Sequence, residues 1–204
     1  MSVIVPVHPA HRCRVAELLE HLTPQLEADD EIVLAFGQLT EPWTPPSLRT
    51  AASVRHVRAA EPLAPGAARN LACDAATKDI VVCQDADDLP HPQRIELLRY
   101  TFAQFDVVHV MHGLSWNPDV RTFRYAPEDV DRELHVRATS FSPALTNGNP
   151  AFDRVACAGI RWDDAKRIAE DVAFNDAVYA RFANTATLPL PLYVYREHLS
   201  AGRR

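Results

Sequence analysis

The chain has 204 residues, of which 47% are hydrophobic and 24% are charged, a composition that supports a packed core and excludes a disordered chain. Its formal net charge of −6 argues against broad nucleic-acid binding, because such binding depends on Lys and Arg at phosphates. No apolar run approaches the roughly 20 residues that span a bilayer, and the N-terminus lacks a secretory signal, so we expect a cytoplasmic protein. The four widely spaced cysteines form no CxxC pair and are expected to be reduced.

Strand and helix patterns alternate over the first two thirds of the chain. Strands are predicted at Ser2–His8, Glu31–Gly37, Ser53–Val57, Asp79–Gln84 and Asp106–His112. Helices are predicted where apolar residues recur from Val15 to Leu26, from Pro65 to about Thr77, and from Ile95 to Phe105. Repeated strand–helix–strand units predict an α/β fold, with a mostly parallel sheet and helices on both faces.

The pattern weakens between Gly113 and Thr146, where charges, prolines and aromatic residues mix, and we expect a small antiparallel region with long loops. Regularity returns with a helix from about Asp164 to Arg181 and a last strand from Thr185 to Arg196. A loop is predicted at Thr40–Ser47 because it is rich in proline. No repeat or linker divides the sequence, so residues 1–204 are predicted to form a single domain.

Three carboxylates, Asp85, Asp87 and Asp88, follow the buried strand DIVVC directly. Ligands of open α/β sheets bind outside the carboxyl ends of the strands. Carboxylates held close together repel one another, and a hard divalent cation such as Mg²⁺ or Mn²⁺ removes that conflict. Such a cation completes its shell with water and phosphates, so the cluster predicts a metal–diphosphate site. Asp88 has an alternative interpretation as the cap of the next helix.

Four segments carry a resemblance to a known family, and they occur in the expected order. They are VIVPVHPA (3–10), PGAARNLACDAATKDIVVCQDADDLPHPQRI (65–95), NPAFDRVACAGIRWDDAKRIAEDVAFNDAVYARF (149–182) and LPLPLYVYREHLS (188–200). The chain resembles the family 2 glycosyltransferases, which have the GT-A or nucleotide-diphospho-sugar transferase fold. The second segment as a whole is the most specific part of this resemblance, whereas a lone D-x-D is a weak signal.

The resemblance implies that a sugar moves from a nucleotide-diphosphate donor to an acceptor hydroxyl, with inversion at the anomeric carbon. It assigns the nucleotide sugar to residues 1–112 and the acceptor to residues 113–204. Asp87 would ligate Mn²⁺ or Mg²⁺, and Asp85 would contact the ribose or the metal. His198 would be a further metal ligand, unless it is simply exposed to solvent.

The same resemblance assigns Asp171 as the catalytic base, with Glu170 orienting it or binding the acceptor. The residues implied in nucleotide-sugar binding are Pro6, His8, Phe36, Arg69, Asp85, Ala86 and Arg196. Asn147 and Gly148 lie where the family shapes its acceptor pocket, although the simpler interpretation of these residues is a tight turn.

One departure from the family leaves the nucleotide base open. The second strand ends in LAFGQ (34–38), without the usual acid. Phe36 could stack on a base and His8 could hydrogen-bond one, or both could be packing residues. The alternative function is therefore a non-catalytic nucleotide-binding or scaffold protein with the same fold. The oligomeric state is also open, with a homodimer as one option.

Overall fold

The computed structural model describes residues 1–38, 50–136, 145, 148–166 and 168–196. Within these ranges a single sheet contains every named strand. The strands are β1 (Ser2–Pro6), β2 (Glu31–Phe36), β3 (Ser53–Arg58), β4 (Ile80–Cys83), β5 (Leu89–Pro90), β6 (His109–Ser115), β7 (His135–Val136), β8 (Ala151–Asp153) and β9 (Thr185–Val194). All strands predicted from the sequence are present, and the predicted loop Thr40–Ser47 lies outside the described residues.

The sheet has the order β3-β2-β1-β4-β8-β6-β9-β5, and β7 also pairs with β9. Strands β3, β2, β1 and β4 are parallel neighbours, as are β6 and β9. Strand β8 lies antiparallel between β4 and β6, while β5 and β7 are antiparallel to β9. This arrangement confirms the predicted mostly parallel sheet with a small antiparallel region.

Helices cover both faces of the sheet, as predicted. They are α1 (Val15–Leu22), α2 (Pro65–Ala75), α3 (Arg94–Gln104), α4 (Pro127–Glu133) and α5 (Glu170–Arg181), and there are short 3₁₀ helices at Pro9–Arg14, Thr23–Gln25 and Pro118–Thr122. Within the described part of the chain, no helix is both long enough and apolar enough to cross a membrane.

Alternation along the central strands supplies two hydrophobic cores, one on each face of the sheet. On one face, Val3 and Val5 of β1 pack with apolar residues of α1 and α3. On the other face, Ile4 packs with Ala72 of α2 and Phe174 of α5. Each fully buried aliphatic side chain stabilises the fold by about 1.5–3 kcal/mol, so the two cores fix the central strands firmly.

The helix predicted to begin at about Asp164 begins only at Glu170, so that boundary is wrong. The Asp163 carboxylate accepts hydrogen bonds from the N–H groups of Ala165 and Lys166, which makes a local turn instead of a helix. Ala169 then adopts the left-handed conformation, with φ of 60°. A left-handed residue cannot continue a right-handed helix, so α5 starts after it.

Candidate functional site

A cavity of about 880 Å³ opens at the carboxyl ends of β1, β2 and β4. The predicted site residues among its walls are Pro6, His8, Arg69, Asp85, Ala86, Asp87 and Glu170. The parallel pairing of Ile4 with Cys83 brings the ends of β1 and β4 side by side, so the segments that follow them share this cavity. Another cavity, of about 550 Å³, is lined by residues of α1 and α3 and contains none of the predicted site residues.

Asp85 is held from several sides by its neighbours. Its Oδ1 accepts a hydrogen bond from Arg69 Nη2 at 2.9 Å. Its Oδ2 accepts one from Asn149 Nδ2 at 2.9 Å and another from the Tyr193 hydroxyl at 3.3 Å. Asn149 also accepts the Asp85 backbone N–H, at 2.8 Å, so it clamps this residue at two points. Both carboxylate oxygens therefore already have protein donors.

Arg69, on α2, connects the segment Asp85–Asp88, which we call the acidic loop, to the start of α5. Its side chain is 6% exposed and forms ion pairs with Asp85 and Glu170. Burial lowers the pKa of Arg69, but the Asp85 and Glu170 carboxylates outweigh burial and raise that pKa above its ordinary value. The guanidinium is thus permanently charged. Its Nε atom is buried without a hydrogen-bond partner among the described residues.

Asp87 occupies a different environment from Asp85. Its Oδ2 lies 3.1 Å from His11 Nδ1, and its side chain is 15% exposed. The Asp87 carbonyl oxygen accepts a hydrogen bond from Arg196 Nε at 2.7 Å, which ties the acidic loop to the segment after β9. The Arg196 side chain is also paired with Glu17 of α1, at 2.8 Å. Arg196 therefore holds the backbone of the loop, while the Asp87 carboxylate lines the cavity.

Asp88 is buried, and its interpretation as a helix cap is wrong. Helix α3 begins six residues later, at Arg94. The Asp88 carboxylate instead accepts hydrogen bonds from the Tyr193 hydroxyl at 2.6 Å and the Arg196 backbone N–H at 2.7 Å. Burial, together with the charges of Asp85 and Asp87, raises the pKa of Asp88 to about 7 despite these hydrogen bonds. Asp88 thus fastens the acidic loop to the end of β9.

Glu170 and Asp171 open helix α5, directly after the left-handed Ala169. Glu170 is 6% exposed and points to Arg69, whereas Asp171 is half-buried. Burial raises the pKa of the Asp171 carboxyl, and the nearby Glu170 and Asp85 add to the rise, against the Val172 N–H and Arg69, which lower it. A carboxylate with a raised pKa is a stronger proton acceptor. Strained backbone conformations of this kind cluster at functional sites.

Gly148 lies at the centre of this group of residues. A Cβ atom at this position would be 3.2 Å from both Arg69 Nη2 and Asp85 Oδ2, and 3.6 Å from Asp171 Oδ2. The absence of a side chain therefore lets the Arg69, Asp85 and Asp171 side chains approach the backbone closely where the acidic loop meets α5. Asn147 and His198, which were also predicted to contribute, lie outside the described residues.

Two other predicted residues have clear positions. Phe36 is 6% exposed and belongs to the hydrophobic core, as its packing interpretation requires, and it is not among the residues that line the cavity. His8 is exposed and lines the cavity, and its Nδ1 accepts the Ala10 N–H at 3.2 Å. That hydrogen bond caps the 3₁₀ helix Pro9–Arg14, so His8 has at least a structural role.

Several residues that shape the site were not predicted from the sequence, namely His11, Arg94, Tyr193 and Tyr195. Tyr193 binds two aspartates, and Tyr195 lines the cavity with 40% exposure. A signal existed for His11, because HPAH follows directly after the end of β1. No local signal marked Tyr193, because its partners lie more than a hundred positions earlier in the chain.

The acidic loop fits a divalent cation through the chemistry of its donors. Within the described residues, no three His, Cys, Asp or Glu side chains come together as a metal site. A cation here would consequently depend on few protein ligands and take the rest from water and phosphate, as Mg²⁺ commonly does. The carboxylate oxygen of Asp87 is a suitable hard ligand at the cavity wall.

Comparison with known protein families identifies the chain. The model of the family described as glycosyl transferase family 2 matches residues 2–168. Because this match covers well over half of the sequence, the chain belongs to that family, and the predicted resemblance is confirmed. The comparison with curated proteins returned no match.

Solved structures share the fold at low sequence identity. TarS 1–349 of S. aureus in complex with UDP is 16% identical with a TM-score of 0.74, covering 96% of this chain and 60% of that one. The mannosyltransferase PcManGT of Pyrobaculum calidifontis, in complex with GDP-Man and Mn²⁺, is 20% identical with a TM-score of 0.68, covering 98% and 57%. Glucosyl-3-phosphoglycerate synthase of Mycobacterium tuberculosis, in complex with Mn²⁺, UDP and glucosyl-3-phosphoglycerate, is 17% identical with a TM-score of 0.66, covering 97% and 72%. These likenesses confirm the GT-A fold, and this chain spans about three fifths of the TarS and PcManGT chains.

Proposed function

We propose that this member of glycosyl transferase family 2 transfers a sugar from a nucleotide-diphosphate donor to an acceptor hydroxyl, with inversion at the anomeric carbon. One observation carries the proposal. Arg69 of α2 bridges Asp85 of the acidic loop and Glu170 of α5 beside a large cavity at the carboxyl ends of the strands. The complexes of TarS with UDP and of PcManGT with GDP-Man and Mn²⁺ support the same class of donor.

The donor would occupy the cavity, whose volume of about 880 Å³ is in the range of small-molecule sites. Pro6, His8 and Ala86 would line the nucleoside, and Asp85 would accept a hydrogen bond from the ribose. The buried Arg69, with its unpartnered Nε, would hold the charged part of the donor. Arg196 would support this region by holding the Asp87 backbone.

Asp87 would ligate Mn²⁺ or Mg²⁺ together with oxygens of the donor diphosphate. When bound, such a cation stabilises the negative charge that develops on the departing nucleoside diphosphate. Asp85 contributes less to metal binding in this proposal, because Arg69, Asn149 and Tyr193 already donate to its two oxygens. The predicted contribution of His198 remains a prediction.

Asp171 would be the catalytic base. The acceptor oxygen attacks the anomeric carbon, its proton passes to the Asp171 carboxylate, and the bond from that carbon to the diphosphate breaks. The bonding electrons leave with the diphosphate oxygen, so one displacement inverts the configuration. The raised pKa of Asp171 favours this proton transfer, and Gly148, which has no side chain, lets the Asp171 and Asp85 carboxylates lie close to the same stretch of backbone.

The test compares Asp171→Asn with Asp176→Asn, a substitution at an exposed position of the same helix. Purified protein is supplied with Mn²⁺ and UDP- or GDP-sugars, and nucleoside diphosphate release is measured alongside donor binding by calorimetry. We expect Asp171→Asn to bind the donor normally and to lose at least about 100-fold in turnover, as removal of a general base does. Asp176→Asn should behave like the wild type.

Two outcomes would count against the proposal in different ways. Full turnover in Asp171→Asn would remove this residue from the mechanism. Nucleotide binding by the wild type, with no sugar released to water or to any acceptor tried, would favour the alternative of a non-catalytic binding protein.

A further inference from the structure

We propose that His11 supplies a nitrogen ligand, beside the Asp87 carboxylate, to the divalent cation of this site. The inference rests on the proposed function, because it concerns the cation that would bind the donor diphosphate. It goes further by assigning a second side chain to that cation and by predicting which metals the protein prefers.

The spacing of the two side chains is the first observation. His11 Nδ1 lies 3.1 Å from Asp87 Oδ2. Two ligands at right angles around an octahedral cation, each at about 2.1 Å, lie about 3.0 Å apart. The pair therefore already has the separation of neighbouring ligands. Both residues line the same cavity, and the His11 side chain is 34% exposed, so a cation and a diphosphate can reach them.

The surroundings of the other two aspartates are the second observation. Asp85 accepts hydrogen bonds at both carboxylate oxygens from neighbouring side chains. Asp88 is 2% exposed and accepts hydrogen bonds from Tyr193 and from the Arg196 N–H. A cation at either residue would compete with these donors. The contact of Asp87 with His11 is instead one between two groups that can both act as metal ligands.

The topology explains how HPAH reaches DADD across more than seventy residues. The 3₁₀ helix Pro9–Arg14 begins three residues after β1, and the acidic loop follows β4 directly. Because β1 and β4 are parallel neighbours, these two segments leave the sheet at the same edge. The fold thus holds an imidazole against the second aspartate of the D-x-D.

A nitrogen ligand has a consequence for metal preference. Imidazole suits transition metals, whereas Mg²⁺ favours oxygen ligands. We therefore expect the wild type to bind Mn²⁺ more tightly than Mg²⁺ in the presence of a nucleoside diphosphate. Replacing His11 with glutamine, which offers an oxygen in place of the imidazole nitrogen, should narrow that difference.

The experiment uses the full chain with Mn²⁺ and either UDP or GDP, and does not depend on turnover. Pulsed electron paramagnetic resonance detects ¹⁴N bound directly to Mn²⁺, and calorimetry gives the affinities for Mn²⁺ and Mg²⁺. We expect a directly bound nitrogen in the wild type. His11→Gln should lose this signal and bind Mn²⁺ about 10-fold or more weakly, in line with the loss of one ligand contact.

Two matched variants make the result specific. His135→Gln replaces an exposed histidine of β7 that is not among the residues lining the cavity, and should keep both the signal and the affinity. His198→Gln tests the other predicted imidazole and should keep the signal that His11 provides. Urea unfolding of each variant confirms that the fold is intact.

The outcomes separate this inference from the proposed function. A nitrogen signal that persists in His11→Gln and disappears in His198→Gln would overturn the assignment, as would nucleotide-dependent Mn²⁺ binding with no bound nitrogen. In the latter case the proposed function would stand, and His11 and Asp87 would be a simple ion pair. Failure of the wild type to bind UDP or GDP with either cation would overturn both.

Discussion

Two buried arginines flank the acidic loop, and they solve the problem of a buried charge in opposite ways. Arg69 lies between two carboxylates, Asp85 and Glu170, which raise its pKa. Arg94 of α3 is fully buried and has only neutral partners, so burial lowers its pKa to about 10. Both remain charged at neutral pH, but Arg69 contacts carboxylates whereas Arg94 contacts neutral acceptors.

Arg94 organises the backbone below the site. Its Nε donates to His112 Nε2 at 2.9 Å, and its Nη1 donates to Gln84 Oε1 at 2.7 Å. Its Nη2 donates to the carbonyl oxygens of Cys83 at 2.7 Å and Asn149 at 3.0 Å. It therefore joins the end of β4 to the residue that clamps Asp85.

The same residue type, arginine, therefore serves two functions around one site. Arg69 sets the charge of the cavity wall, since it neutralises carboxylates that a ligand would otherwise meet. Arg94 sets the positions of loops through neutral acceptors, and none of its contacts reaches the cavity. Substitutions should separate the two functions through their response to the removal of a neighbouring carboxylate.

The largest effect is expected for Arg69→Met, which leaves the Asp85 and Glu170 carboxylates without their cation. Removing one partner of a buried ion pair costs about 3–5 kcal/mol. We expect this loss in the free energy of unfolding, measured with urea at neutral pH. The double variant Arg69→Met with Glu170→Gln should lose less, because it leaves one carboxylate fewer without a partner. An equal loss in the two variants would show that Arg69 is not compensating charge.

Arg94→Met should cost slightly less, about 3–4 kcal/mol, because four buried acceptors lose their donor at about 1 kcal/mol or more each, while the desolvation cost of the buried cation is relieved. No carboxylate is left unpaired, so adding Glu170→Gln to Arg94→Met should recover no stability. The same urea titrations provide the measurement. A recovery of stability here would erase the distinction between the two arginines.

His109 extends the comparison to a buried group that stays neutral. It is fully buried in β6, with Nε2 hydrogen-bonded to Asn175 Oδ1 at 2.9 Å, and burial lowers its pKa from 6.5 to about 4. Because the unfolded chain binds this proton more readily, stability is complete above pH 6.5 and falls as the pH approaches 4. The shift corresponds to about 3 kcal/mol, at about 1.4 kcal/mol per pKa unit.

Urea unfolding between pH 7 and pH 4.5 tests this expectation. His109→Gln should reduce the acid-dependent loss, although His112, whose pKa is also lowered by burial, contributes to what remains. The exposed His135 is the control, and His135→Gln should leave the loss unchanged. An unaltered slope in His109→Gln would contradict the assignment.

The smallest effect on stability is expected at Gly148. Gly148→Ala adds a methyl group at 3.2 Å from Arg69 Nη2 and Asp85 Oδ2, where flexible side-chain ends can shift slightly. We expect less than about 1 kcal/mol in unfolding, within the range of mild substitutions, but at least about 10-fold weaker binding of substrate. Calorimetry with the donor, and turnover with an acceptor, provide the measurement.

Gly159→Ala is the reciprocal control. Gly159 has φ of 87° and no atoms within 4 Å of an added Cβ, so alanine there is strained without blocking anything. It should cost about 1 kcal/mol and leave binding unchanged. If Gly148→Ala also left binding unchanged, Gly148 would have no role beyond its turn.

Much of the fold could be predicted from local patterns. The apolar period of α1 and the β-branched runs of β1 and β2 reflect burial against a common sheet, and burial leaves its signature in the sequence itself. The start of α5 could not be predicted in this way. Ala169 adopts a left-handed conformation that alanine does not favour, so no residue preference marks it.

The features of the site likewise fall into those that could be predicted from the sequence and those that could not. The acidic cluster after a buried strand and the resemblance to the family 2 glycosyltransferases could be read from the sequence. The different contacts of the three aspartates are visible only in the folded chain. Asp85 is clamped by Asn149, Asp87 meets His11, and Asp88 binds Tyr193.

The two kinds of feature differ in how far apart in the chain the interacting residues lie. Periodicity records whether a side chain is buried, which depends on its own element. The partner of a carboxylate depends on which strands are neighbours and in what register, and here β1 lies beside β4 while β9 lies beside β5. Those pairings join residues far apart in the chain, so three adjacent aspartates that look alike in sequence acquire three different environments.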